Sequence, residues 1–258
     1  LVCPGNLRFS DQVDYITASR LIRIPTVNLV LSWDNTSNKG LFFGNSDYIF
    51  CWNQLHRHEL MQLHSTPSDK IKVVGSLQFE KWARCDPDSS SHLYSAKASN
   101  NVALDHGIYT ILYFGSSSRI ANDERGVLRS LSLAIDKQTF EAKVIFKPHP
   151  AHKDDYSDLA NNNDVAFKNI ELASPNLGFS FTPAQCEEFA SFVRTVDIVT
   201  GINTSAFFDC LALRAFVVPI ILDQFRSTQS ECAHFKKLIS SKTFPLAYSF
   251  DDLFEWLQ

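Results

Sequence analysis

The apolar residues 144–146 run into Lys147, Pro148, His149 and Pro150. Pro148 confines Lys147 to extended backbone and offers no amide to a ladder, so a strand stops there with an imidazole held beside an ammonium group. A histidine so placed can donate to a phosphate or act as an acid. A histidine packed in a loop is the plainer account of the residue alone, and the two flanking prolines favour the functional one. Two further segments have the same character. Gly115 is followed by Ser116, Ser117 and Ser118, where a backbone without Cβ and a run of hydroxyls can receive an oxyanion, or simply make a turn and a helix cap. Gly201 precedes Asn203, Thr204 and Ser205 at the start of an apolar helical stretch, a pattern that suits either an anion or an ordinary N-cap.

Other polar groups are weaker candidates. Arg226 and Gln229 follow the apolar run "FVVPIIL" and suit a phosphate or sugar, with Asp223 placed to orient the guanidinium. Asp34, after "VNLVLSW", can serve as a base toward an acceptor hydroxyl or close an Asx turn. His56, His58 and His64 read as solvated helix residues, since positions two apart on a helix do not share a face. No cysteine or histidine cluster has metal-ligand spacing, so no metal site is expected.

Strand-length apolar runs alternate with helical periodicity, which predicts an α/β protein with largely parallel sheets. In the first part "PTVNLVLSW", "DYIFCW" and "IKVVGS" read as strands. "SDQVDYITASRLI", capped by Ser10, reads as a helix, as does "NQLHRHELMQLH", with Leu55, Leu60, Met61 and Leu63 on one face. The Ser-rich "DPDSSSHLYSAKASN" reads as a linker. The expected division is 1–85 for a first Rossmann-like part, 86–106 for the linker and 107–258 for a complete second Rossmann-like unit. In the second unit "IYTILYFGS", "AKVIFKPHP", "DIVTG", "AFVVPIIL" and "FPLAYS" are the expected strands. Ligands of open α/β sheets bind beyond the strands' carboxyl ends, where the three polar segments fall.

The chain has 258 residues, 45% hydrophobic and 20% charged, with a formal net charge of -4. That suffices for a large core and, with no long Lys/Arg run, offers no footprint for duplex nucleic acid, so no nucleic-acid partner is expected, while a local basic pocket for a phosphate stays open. Six scattered cysteines suit reduced, buried thiols and a cytoplasmic setting. No apolar run approaches the roughly 20 residues that span a bilayer. The opening "LVCPGN" reads as the end of a strand entering a turn, as in a fragment or processed chain.

The His-Pro strand end, paired with the later Ser/Thr-rich helix start, resembles the donor-binding domain of two-Rossmann (GT-B) glycosyltransferases. It is most similar to sialyltransferases, capsule Kdo transferases and CDP-glycerol glycerophosphotransferases, which use cytidine-activated donors. "SWDNTSNKG", "SDYIFCWNQLHRHEL", "IKVVGSLQFEKW", "GINTSAFFDCLAL" and "DQFRSTQSECAHF" extend the resemblance over nearly the whole chain outside the linker, with the first domain shortened. It implies that His149, Thr204 and Ser205 contact the donor's nucleotide phosphate, and that a nucleotide-sugar or CDP-glycerol donor meets a glycan or lipid-linked acceptor. The nucleotide-activated donor is a substrate, so no cofactor is expected. Two Rossmann-like halves would then face a cleft. Peripheral membrane association at the inner face and self-association through the shortened first part are further expectations. A UDP-sugar 2-epimerase-like enzyme, a non-catalytic nucleotide-sugar-binding remnant and a fragment held by partner contacts are the alternatives.

Overall fold

The computed structural model describes residues 1–4, 11–42, 45–85, 107–150, 156, 159, 165–173, 182–242 and 244–258. Ser10, the Ser-rich stretch and the "NNND" turn lie outside the described residues. Two compact units divide the chain, Leu1–Glu80 and Lys81–Gln258, ahead of the position that composition suggests.

In the first unit β1 (Val2–Pro4), α1 (Gln12–Leu21), β2 (Val27–Leu29), β3 (Tyr48–Cys51), α2 (Gln54–Leu63) and β4 (Ile71–Val73) follow one another in the chain. The strands form a parallel sheet in the order β1-β2-β3-β4. Such short strands gain from side-chain ties. The Asp47 carboxylate accepts both the Thr26 amide and hydroxyl, at 2.8 and 2.9 Å, fixing the start of β3 beside β2. These bonds, the amide first, hold the Asp47 carboxyl below its ordinary value. The apolar core comprises Val30, Ile49, Cys51, Leu60 and Ile71.

Helix α2 corrects the expected face. Asn53 caps it through the His56 amide, and of the four apolar residues only Leu60 is buried, while Leu55, Met61 and Leu63 are exposed. His56 and Glu59 take the inward positions instead. The His56 ring meets the Trp33 carbonyl and the His64 ring the Thr36 carbonyl, so of the three histidines only His58 is solvated. Polar partners in the loop after β2 override the hydrophobic periodicity.

The second unit takes most of α3 (Glu80–Arg84), followed by β5 (Ile108–Phe114), α4 (Glu124–Ile135), β6 (Glu141–Lys147), β7 (Ile170–Leu172), α5 (Pro183–Thr195), β8 (Ile198–Gly201), α6 (Ala206–Ala212), α7 (Ala233–Ser241) and α8 (Phe250–Glu255). All strand pairs are parallel in the order β7-β6-β5-β8. The three-residue edge strand β7 has no counterpart in the sequence reading. The expected strands "AFVVPIIL" and "FPLAYS" reduce to single parallel bridges, Val199 with Val217 and Ile220 with Ala247. Pro219 has no amide to offer on the side that faces Ala247, while Val218 and Ile220 still donate to the Val199 and Gly201 carbonyls. The core lies between sheet and helices, with Ile111, Tyr113, Leu128, Leu131, Val144 and Phe146 almost inaccessible. Among the described residues no helix is long and apolar enough to cross a membrane.

Candidate functional site

β5 lies between β6 and β8, which makes neighbours of the three polar strand ends. Phe114 stands opposite Lys147 on one side and Gly201 on the other. Both glycines permit this. A Cβ on Gly115 would meet a Glu124 carboxylate oxygen at 2.8 Å and the His149 amide nitrogen at 3.0 Å. At Gly201, where φ is 154°, it would meet the Phe114 carbonyl oxygen at 2.5 Å.

Side chains then stitch the loops together. The Gly115 amide donates to the Lys147 carbonyl at 2.8 Å, carrying the β5–β6 ladder one step past the strand. The Asn203 amide donates to the Ser116 hydroxyl oxygen at 3.1 Å, joining the loops after β8 and β5. Asn203 also donates through Nδ2 to the Thr228 carbonyl, with His234 of α7 at 3.3 Å from the same nitrogen. The Thr228 hydroxyl donates to the Ile120 carbonyl at 2.6 Å. One polar network therefore runs beneath the carboxyl edge of the sheet.

The expected ligand-binding residues separate into three groups. Ser116 and Gln229 are fully buried. The Ser116 amide donates to Glu124 at 2.7 Å, and Gln229 Nε2 donates to the Ile202 and Ile220 carbonyls while Oε1 accepts from the Leu222 amide. Both hold backbone segments together, and the Gln229 amide protons expected to meet a sugar are engaged within the fold. Asn203 and Thr204 are buried, and the Thr204 hydroxyl accepts the Ala206 amide at the start of α6. Ser117, Lys147 and His149 are half-buried at the edge and Ser205 is exposed, so these four are within reach of a ligand. Burial holds the Lys147 ammonium below its ordinary value. Arg226 is exposed and pairs with Glu231 at 2.9 Å, not with Asp223.

Two acids escaped the sequence reading. Glu124, first in α4, is 1% exposed, and burial pushes its carboxyl up to about 8 despite the bonds from Ser116 and Tyr113. Asp209, inside α6, accepts the Trp82 indole N–H at 2.7 Å with the Lys81 ammonium at 3.8 Å. Burial raises its carboxyl, and the indole and the lysine oppose the shift. The only sequence signal for Asp209 is its apolar flanks. Glu124 looks like an ordinary first-turn acid.

In the first unit Asp34 is buried, accepts the Ser32 hydroxyl at 2.7 Å and pairs with Lys39 at 3.1 Å. A small, shallow groove opens at the carboxyl ends of β2, β3 and β4, lined by Leu31, Phe50, Trp52, Val74 and Leu77 among others. Among the described residues no group of three His, Cys, Asp or Glu side chains is placed to hold a metal ion.

No family model and no curated protein matches the chain. Solved structures do. The S. aureus MnaA-UDP co-structure superposes with a TM-score of 0.60 at 11% identity, over 98% of this chain and 63% of that one. UDP-GlcNAc 2-epimerase from Methanocaldococcus jannaschii, solved with UDP-GlcNAc and UDP, superposes at 0.57 and 15% identity, over 99% and 67%. The wall teichoic acid polymerase TagF aligns at 0.46 and 8% identity, over 91% and 57%. This chain thus spans less than two thirds of MnaA. The first two likenesses, with the two parallel sheets and their flanking helices, establish a two-Rossmann fold of the GT-B type.

Proposed function

We propose that this protein binds a nucleotide-activated donor at the carboxyl edge of the second sheet and transfers its glycosyl or glycerophosphoryl group to a hydroxyl of a surface glycan or its lipid-linked precursor. The observation that carries this is the convergence of the ends of β5, β6 and β8, which gathers Ser117, Lys147, His149 and Ser205 at one edge. A departing nucleotide develops negative charge on its phosphate. Lys147, His149 and the hydroxyls would stabilise that charge without a metal, and preorganised donors at such an edge are more effective than the same groups in water. Arg226 would reach donor phosphate only by leaving Glu231. Asp34, as a base, would first release Lys39. The apolar groove of the first unit suits the less polar part of an acceptor, and the setting would be cytoplasmic, at the inner face of the membrane.

A second reading is a UDP-sugar 2-epimerase-like activity, favoured by the superposition on the Methanocaldococcus jannaschii UDP-GlcNAc 2-epimerase and by the UDP bound both there and in MnaA. Calorimetric titration with CMP, CDP, UDP and GDP tests the common premise. Nucleotide binding should weaken about tenfold, or about 1.4 kcal/mol, in His149→Ala. A cytidine preference supports transfer, whereas a uridine preference with an isomerised sugar product supports the second reading. Failure of every nucleotide to bind would overturn both.

A further inference from the structure

Glu124 lies beneath the edge just described, and nothing in the proposed chemistry uses it. Its Oε1 accepts the Ser116 amide at 2.7 Å, with the Tyr113 hydroxyl at 3.4 Å. Its Oε2 is buried without a hydrogen-bond partner. That oxygen stands 2.8 Å from the point a Gly115 Cβ would occupy, and the His149 amide nitrogen is 3.0 Å from the same point. The carboxyl group therefore fills the gap under the Gly115 turn, between the ends of β5 and β6.

An ionised carboxylate with one oxygen bare in such a space is strongly disfavoured, whereas the neutral acid still offers Oε1 to the Ser116 amide. The positive end of α4 favours the anion, but only modestly. Burial prevails, consistent with the carboxyl being pushed up to about 8. The surrounding groups come from several elements. Tyr113 lies on β5, Lys147 ends β6, and His149 follows it by two residues. Tyr156 carries the Arg125 guanidinium over its ring, Asp123 caps α4, and His234 stands beyond Asn203.

We propose that Glu124 is a positioning residue of the anion site: uncharged, it supports the Gly115–Ser116 turn from below, and loss of its proton sets a negative charge under that turn and weakens phosphate binding. This rests on the nucleotide-binding reading above. At an effective dielectric of about 20, a unit charge several ångströms from a bound phosphate corresponds to a loss of roughly ten- to fiftyfold in affinity.

The test is titration of the full chain with UDP and CDP from about pH 7 to about pH 9.5, in the wild type and in Glu124→Gln, which keeps a carbonyl acceptor for Ser116. Wild-type affinity should fall roughly tenfold or more through about pH 8, while the variant loses much less over the same range. Deprotonation of Lys147 would weaken binding in both proteins alike, so the difference between them is the measurement. Parallel profiles, or no decline in the wild type, overturn the inference and leave nucleotide binding standing. Absence of binding in the wild type at every pH overturns both. If Glu124→Gln does not fold, infrared spectroscopy of the wild type decides: a neutral-acid carbonyl band present near pH 7 and lost by about pH 9.5 supports the inference, and its absence at pH 7 overturns it.

Discussion

In each unit a loop at the carboxyl edge of the sheet is held down by a buried glutamate from a helix. In the first, Glu59 of α2 accepts the Thr36 hydroxyl, and Asp34 in the same loop faces Lys39. In the second, Glu124 of α4 accepts the Ser116 amide and lies near a phenol. The first loop holds an ion pair of its own, whereas the second is supported by a carboxyl whose other oxygen has no hydrogen-bond partner. Glycines repeat the contrast. Gly40 and Gly75 turn the chain in open space, while Gly115 and Gly201 bring neighbouring segments into contact. The first loop neutralises its own charge through Asp34 and Lys39. An edge assembled by close backbone approach around a neutral acid suits the reception of an anion.

The largest test of this contrast is the pH dependence of stability. The Glu124 carboxyl is raised from 4.5 to about 8 in the folded protein. The native state therefore keeps a proton that the unfolded chain has lost. Stability from this group is full below about pH 4.5, falls as pH rises toward about 8 and is level beyond. At about 1.4 kcal/mol per unit the total is roughly 4–5 kcal/mol. Urea unfolding of the wild type minus that of Glu124→Gln should show the slope, and equal slopes would remove the contrast between the loops.

Next comes Gly201→Ala, which adds a Cβ 2.5 Å from the Phe114 carbonyl oxygen at a φ of 154°. A cost of about 3 kcal/mol is expected, against about 1 kcal/mol for Gly75→Ala, where φ is also positive but space is open. Equal urea midpoints for the two variants would deny that backbone crowding distinguishes the edges.

The smallest stability change is expected for Asp34→Asn. Its partner Lys39 is half exposed, so the pair contributes about 1 kcal/mol or less. In a transfer assay the same variant is sharper, since a base toward the acceptor predicts a rate loss of roughly a hundredfold or more, with donor binding unchanged.

The alternation of strands and helices was legible because apolar runs end in residues that cannot continue them. Lys147-Pro148 stops β6, and Thr182-Pro183 opens α5, with the Thr182 hydroxyl accepting the Gln185 amide. Periodicity failed where polar groups meet partners distant in sequence. His56 and Glu59 displaced Met61 and Leu63 from the buried face of α2. At the edge of the second sheet the strand order makes neighbours of the three polar strand ends singled out in the sequence, which does not say how each side chain is engaged. Ser116 and Gln229 have the residue types of ligand contacts, yet Ser116 bonds the Glu124 carboxylate and the Asn203 amide, and Gln229 the Ile202 and Ile220 carbonyls. Nothing in the sequence marks Glu124, and only apolar flanks mark Asp209, because burial of a helix acid is a property of the assembled core.

Trp82 sits outside both sheets. It is 3% exposed, packs its ring on Phe189 of α5 and donates its indole proton to Asp209. For module exchange, this defines the seam: a second unit grafted onto a foreign first unit should carry the chain from Lys81 onward. A junction cut in the Ser-rich stretch would leave the carboxyl of Asp209 without its indole donor and the ring of Phe189 without Trp82.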